Sequence, residues 1–151
     1  MSTHILYAAV GAALGSVGFA LLVHAPLRSL LPSGIIAALS YLVYMLLSMN
    51  GISDSMAVFA GALFGSLAGQ EVARKMKMIG TVFLMSAIVP VVPGLGLYRM
   101  MTLLGQGATA AGADQGIEAM ITIAMITLGL GVGSYADRHM HARKKISPEK
   151  G

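Results

Sequence analysis

The sequence predicts an all-α integral membrane protein with about five transmembrane helices, the fourth of them interrupted. Three observations carry that prediction. Of 151 residues, 56% are hydrophobic and 11% charged, where a soluble domain carries roughly a quarter charged. Ten basic and six acidic side chains cannot cover a water-facing sphere, and the mean hydropathy is +0.79. The apolar residues also gather into runs near the ~20 residues that a spanning helix requires. Gly (19) and Met (12) are abundant and aromatics few, the balance of helices that pack through small residues. No cysteine is present, which removes disulfides, thiolate metal sites and Cys nucleophiles together.

The residues set each span in turn. The first runs over residues 5–25 without a formal charge, with His24 near its end. It lacks Lys or Arg ahead of the apolar run, so an uncleaved span is expected rather than a signal peptide. The second, 32–49, opens on Pro32 and closes on the turn dipeptide Asn50-Gly51. The third, 54–73, follows the capping pair Ser53-Asp54 and ends at Glu71 and Arg74. The stretch 78–105 is too long for one straight span and is broken at Pro90-Val91-Val92-Pro93-Gly94. A Gly- and Ala-rich segment, 106–116, reads as a loop before the fifth span, 117–136. Residues 137–151 form a basic tail.

Orientation follows from Lys and Arg. Arg28 lies in the first loop, Arg74, Lys75 and Lys77 in the third, and Arg138, Arg143, Lys144, Lys145 and Lys150 in the tail. Five spans with the N-terminus outside place all nine on the cytoplasmic side, as the positive-inside bias requires. The fourth stretch must then make one net crossing despite its break. The expected location is a bacterial cytoplasmic (inner) membrane.

That break is the most informative feature. Pro90 and Pro93 leave carbonyls without intrahelical partners, and Gly94 permits a sharp turn. Unpaired backbone at membrane depth persists only where protein or a wet cavity meets it, and transporters present half-helix ends to substrate in this way. Pro90, Pro93, Gly94, Tyr98 and Arg99 are therefore the candidate substrate-binding residues; a kink that only shapes packing is the alternative. Arg99 would suit a carboxylate near a helix N-terminus, or its side chain snorkels to the outer interface. Tyr98 would line the same cavity or join an aromatic belt.

Glu71 stands three and four residues before Arg74 and Lys75, the spacing of helical ion pairs. It is also the acid nearest a span interior and so the coupling candidate. His24 reads as a satisfied interfacial histidine. Gly61, Gly65 and Gly69 stack on one helix face, the small-xxx-small geometry of close packing, within the chain or against another subunit. No Walker A loop, His-Glu-x-x-His or Gly-x-Ser-x-Gly motif is present. Hence no enzyme, cofactor, catalytic residue or metal site is expected. The basic tail is expected to contact anionic membrane lipids and not nucleic acid.

The order of motifs resembles a known family. It runs from Gly18-Phe19-Ala20-Leu21-Leu22 through Ala25-Pro26-Leu27-Arg28, Ala62-Leu63 and Glu71-Val72-Ala73-Arg74 to Val89-Pro90-Val91-Val92-Pro93-Gly94 and Tyr98-Arg99. Together these look like the C-terminal membrane domain of the threonine/serine exporter family, and in particular its form as a separate small subunit, as in paired succinate exporters. The resemblance implies ion-driven export of a small carboxylate-bearing metabolite, threonine, serine or a dicarboxylate such as succinate. It also implies a second membrane subunit of the same family, or a homo-oligomer. The alternative is a structural or assembly subunit without a substrate site of its own.

Overall fold

A computed structural model describes residues 2–89, 92 and 94–146. The chain is an all-α membrane protein of six helices among the described residues: α1 (Ser2–Leu22), α2 (Leu27–Met49), α3 (Asp54–Lys75), α4 (Gly80–Ile88), α5 (Gly94–Gly105) and α6 (Thr109–Ile146). Three helical stretches, Leu27–Met49, Asp54–Lys75 and Thr109–Met140, are long and apolar enough to cross a membrane, and α1 adds a shorter apolar run, Tyr7–Leu22. The packing is inverted relative to a soluble protein. Small residues fill the interior (Ala20, Ala37, Ala57, Ser29, Ser40, Ser66), with Phe83 the largest fully buried side chain. Leu14, Leu21, Leu31, Ile35, Met56 and Leu128 point outward, as expected where lipid tails solvate them as well as a core would.

Four helices end on one device. After α1, α2, α3 and α5 the chain takes a left-handed residue, respectively His24, Gly51, Lys77 and Gly107. At each, an amide donates back to the last turn, as in Ala25 N–H to Ala20 O (2.9 Å) and Met78 N–H to Ala73 O (2.8 Å). This is the Schellman cap, which satisfies carbonyls that would otherwise be orphaned. Gly adopts that conformation freely; His24 and Lys77 do so at a cost of about 1 kcal/mol each.

The first three helices form an antiparallel up-down-up set. Gly34 of α2 meets Val17 and Ala13 of α1, and Ser48 donates to Asp54 across the α2–α3 turn (2.6 Å). The second helix starts earlier than the proline at 32 suggests: Pro26 is its N-cap, Ser29 Oγ donates to Pro26 O, and Pro32 sits inside the helix. A proline six residues in removes one amide hydrogen bond, which a buried membrane helix tolerates.

Beyond α3 the arrangement changes. Phe83 lies under Gly69, and Gly80 faces Ala73 and Gln70, so α4 runs antiparallel along the C-terminal half of α3. Its nine residues span about 14 Å, and it stops roughly halfway along α3. The next helix, α5, packs on neither α3 nor α4 but on α6, antiparallel: Leu104 faces Gly112 and Met100 faces Gly116. Lower down, Gly129 of α6 meets Phe59 and Ala62 of α3, and Gly133 meets Ser66, so α3 and α6 are parallel neighbours. One stripe of α6 (Gly112, Gly116, Ala119, Ile126, Gly129, Gly133, Asp137) thus serves α5 first and then α3. Segment 106–116, expected as a loop, is helical from Thr109. The Gly and Ala that suggested a loop are there because α5 comes close: a Cβ on Gly112 would lie 2.8 Å from the Leu104 side chain. At 38 residues, α6 is about 57 Å long, nearly twice the ~30 Å hydrocarbon core. Its first three turns, with α5, project beyond the start of α3 by roughly 15 Å.

Candidate functional site

Two polar places stand out on this frame, one at each end of α6. At the projecting end, Arg99 of α5 separates two clefts. The larger, 550 Å³, is lined by Tyr98, Arg99, Thr102, Asp114 and Gln115. The smaller, 170 Å³, is walled by Arg99, Gln115, Glu118 and Thr122 and is the more polar. Gly112 and Gly116 bring the two backbones close enough for α6 to face Arg99 with these groups. Gln115 Nε2 donates to Glu118 Oε2 (3.1 Å) and Thr102 Oγ1 to Tyr98 O (2.9 Å), so both wall residues are held by their own helices. Arg99 itself forms no ion pair among the described residues, and its side chain is exposed. A guanidinium left open between hydrogen-bonding walls can take a carboxylate in bidentate fashion.

Of the other residues expected at this site, Gly94 heads α5 with open space around it, and Tyr98 is exposed beside Arg99. Pro90 and Pro93 lie outside the described residues, but the helix does stop at Ile88 and resume at Gly94. Arg99 is level with the α6 turn around Gly116, past the start of α3, and so sits toward the projecting end instead of deep among the helices.

The opposite end holds an ion pair that sequence reading missed. Arg74 of α3 bridges to Asp137 of α6. Asp137 is 3% exposed, while the Arg74 side chain keeps 35% of its surface in contact with solvent. Above them on the same seam, Ser66 Oγ donates to Leu130 O (3.2 Å) and lies 3.4 Å from Ser134 Oγ, with Gln70 Nε2 3.5 Å from Ser66 Oγ. Ser66, Gln70 and Arg74 follow at four-residue intervals on α3, and Gly129, Gly133 and Asp137 on α6. That second series was the available signal: Asp137 continues a glycine stripe and must face whatever the glycines face. Glu71, the coupling candidate, is exposed and lies 3.7 Å from Lys75.

The glycine face of α3 is used inside the chain. A Cβ on Gly61 would meet Ser40 O of α2 at 3.0 Å, and one on Gly69 would meet Phe83 Cβ of α4 at 3.2 Å; Gly65 between them is buried. By contrast Gly11, Gly15 and Gly18 of α1 face open space. No group of His, Asp or Glu able to hold a metal occurs among the described residues.

The chain is 29% identical over 133 residues to a protein of Mycobacterium tuberculosis (strain ATCC 25618 / H37Rv) named as a probable threonine/serine exporter; the match covers 88% of this chain and 25% of that relative. The chain therefore spans about a quarter of the length of the curated relative it matches. No solved structure matches. The family model described as "Threonine/Serine exporter, ThrE" matches residues 8–136, the six helices almost entire, and the chain belongs to the threonine/serine exporter family.

Proposed function

We propose that the chain forms the membrane-embedded part of a secondary exporter of a small carboxylate-bearing metabolite, threonine, serine or a dicarboxylate such as succinate. It works in the bacterial cytoplasmic membrane with a second membrane subunit of the family or further copies of itself. One observation carries the reading: α4 ends about halfway along α3, and the chain resumes as a separate helix that bears Arg99, without an ion pair among the described residues, between two clefts. Broken helices of this kind are the means by which transporters offer helix ends and a cation to an anionic group. The parallel course of α3 and α6 supports one net crossing by α4 and α5, hence five crossings. The gathering of basic residues at one end supports an outside N-terminus and a cytoplasmic C-terminus.

Efflux of radiolabelled threonine, serine and succinate from cells with and without the chain tests the proposal. Export that is unchanged on loss of the chain sinks it. Arg99→Ala and Gly94→Ala separate it from an assembly role, for which the open Gly11, Gly15 and Gly18 face of α1 speaks. Assembly retained with transport lost supports the exporter; normal transport in both variants supports the scaffold. For ion coupling, Glu71→Gln and Asp137→Asn are compared, and the buried Asp137 is the carboxylate whose loss is expected to uncouple export from the gradient.

A further inference from the structure

The two left-handed helix ends that lack glycine each border a cleft that Pro26 also lines. His24 closes α1 and Lys77 closes α3, at φ 55° and 54°, where the equivalent corners after α2 and α5 use Gly51 and Gly107. Nothing in the turn itself calls for a side chain there: both corners make the same backbone hydrogen bonds as the glycine ones. An unfavourable backbone state kept at two positions points to work for the side chains.

What surrounds them indicates the work. A 360 Å³ cleft between the α1 corner and α4 is lined by Phe19, Val23, His24, Pro26, Thr81 and Met85. A second cleft, 520 Å³, lies between Pro26 and the segment Lys77, Met78 and Ile79. Pro26 borders both. The walls are apolar and outward-facing; Leu27 and Ile79 beside them are largely exposed, as suits contact with lipid tails. The mouth is basic: Lys77 and, on the first turn of α2, Arg28 are exposed cations, and the His24 imidazole beside them can donate a hydrogen bond. Among the described residues, no acidic residue lines either cleft. The two acids described at this end are engaged elsewhere, Glu71 with Lys75 and Asp137 with Arg74.

The geometry points to a resident site for an anionic phospholipid, its acyl chain lying in the groove between α1 and α4 and its phosphate held by Lys77 and His24. An apolar trough that opens at the level of a cationic rim matches a lipid in both its parts, and a soluble anion in only one.

The left-handed backbone supplies a clean test. His24→Gly and Lys77→Gly remove the side chains while relieving the backbone, so the double variant should melt at or above the wild-type temperature. Full-length protein is purified in mild detergent and titrated with palmitoyl-oleoyl phosphatidylglycerol or the matching phosphatidylcholine, and retained lipid is counted by native mass spectrometry. Wild type is expected to prefer phosphatidylglycerol by about fivefold or more, the weight of a single lysine at an anionic surface. Lys77→Gly should lose most of this preference and the double variant all of it. Arg138→Gln, an exposed basic change on α6, should leave it in place. The site is disproved if the double variant keeps the preference, or if Arg138→Gln reduces it equally, which would mean diffuse attraction to a basic surface. Displacement of the lipid by millimolar glycerol 3-phosphate would likewise overturn it, since a soluble anion would then suffice.

Discussion

At the residue scale, Asp137 shows how a membrane protein places a charge. Its carboxylate is out of contact with water, and its partner Arg74 keeps one side in water, so the pair is neither fully exposed nor fully enclosed. Removing one member of a buried pair costs roughly 3–5 kcal/mol, mostly for the charge left behind. Because Arg74 remains partly hydrated, Asp137→Ala should fall at or below the lower end of that range, measured by thermal or denaturant unfolding in detergent. The double change Arg74→Met with Asp137→Leu should recover part of the loss, since Arg74 is then not left as a charge without this carboxylate. Failure to recover would mean that Asp137 has a second obligatory partner. Asp137 also marks a limit of sequence reading. Its neighbours Arg138 and His139 make it look like the start of a solvated tail, and only the register of α6 against α3 turns it inward.

At the scale of elements, the glycines divide by what faces them. A Cβ at Gly129 would lie 2.7 Å from Phe59 O, and a backbone carbonyl cannot rotate away as a side chain can. Gly129→Ala should therefore cost about 1–3 kcal/mol through separation of α3 and α6. Gly131, two residues on, faces open space. There Gly131→Ala should be neutral or stabilising by up to ~1 kcal/mol from helix propensity alone. Parallel melting curves of the two variants check the contrast. The apolar runs and the doubled proline made most helices legible in the sequence, because lipid imposes length and hydropathy on each span. The start of α6 was not legible: Gly112 and Gly116 have the composition of a loop, and their use as a bed for α5 depends on tertiary approach. Pro32 misled for a related reason, since proline marks a helix start only where neighbours do not support the helix around it.

For the whole molecule, the absence of cysteine makes single-cysteine labelling direct. Gln106→Cys at the tip of the α5–α6 hairpin should react with a membrane-impermeant maleimide in intact spheroplasts. His139→Cys, exposed at the far end of α6, should react only after permeabilisation; the reverse pattern would invert the proposed orientation. Of the candidate site, the break and Arg99 were legible as residues, being the doubled proline and the one charge within an apolar stretch. Their surroundings were not, because Asp114 and Gln115 of that wall lie in the first turns of α6, which composition had assigned to a loop.

The long α6 has a mechanical consequence. From Asp114 beside the Arg99 clefts to Asp137 at the ion pair with Arg74 it is one continuous helix, about 35 Å of rod. The other route between those two levels, through α4 and α5, is made of two separate helices. The bundle therefore carries a strut and an interrupted link side by side across the same thickness. A tilt imposed at either end of the strut reaches the other end as a rigid lever would carry it.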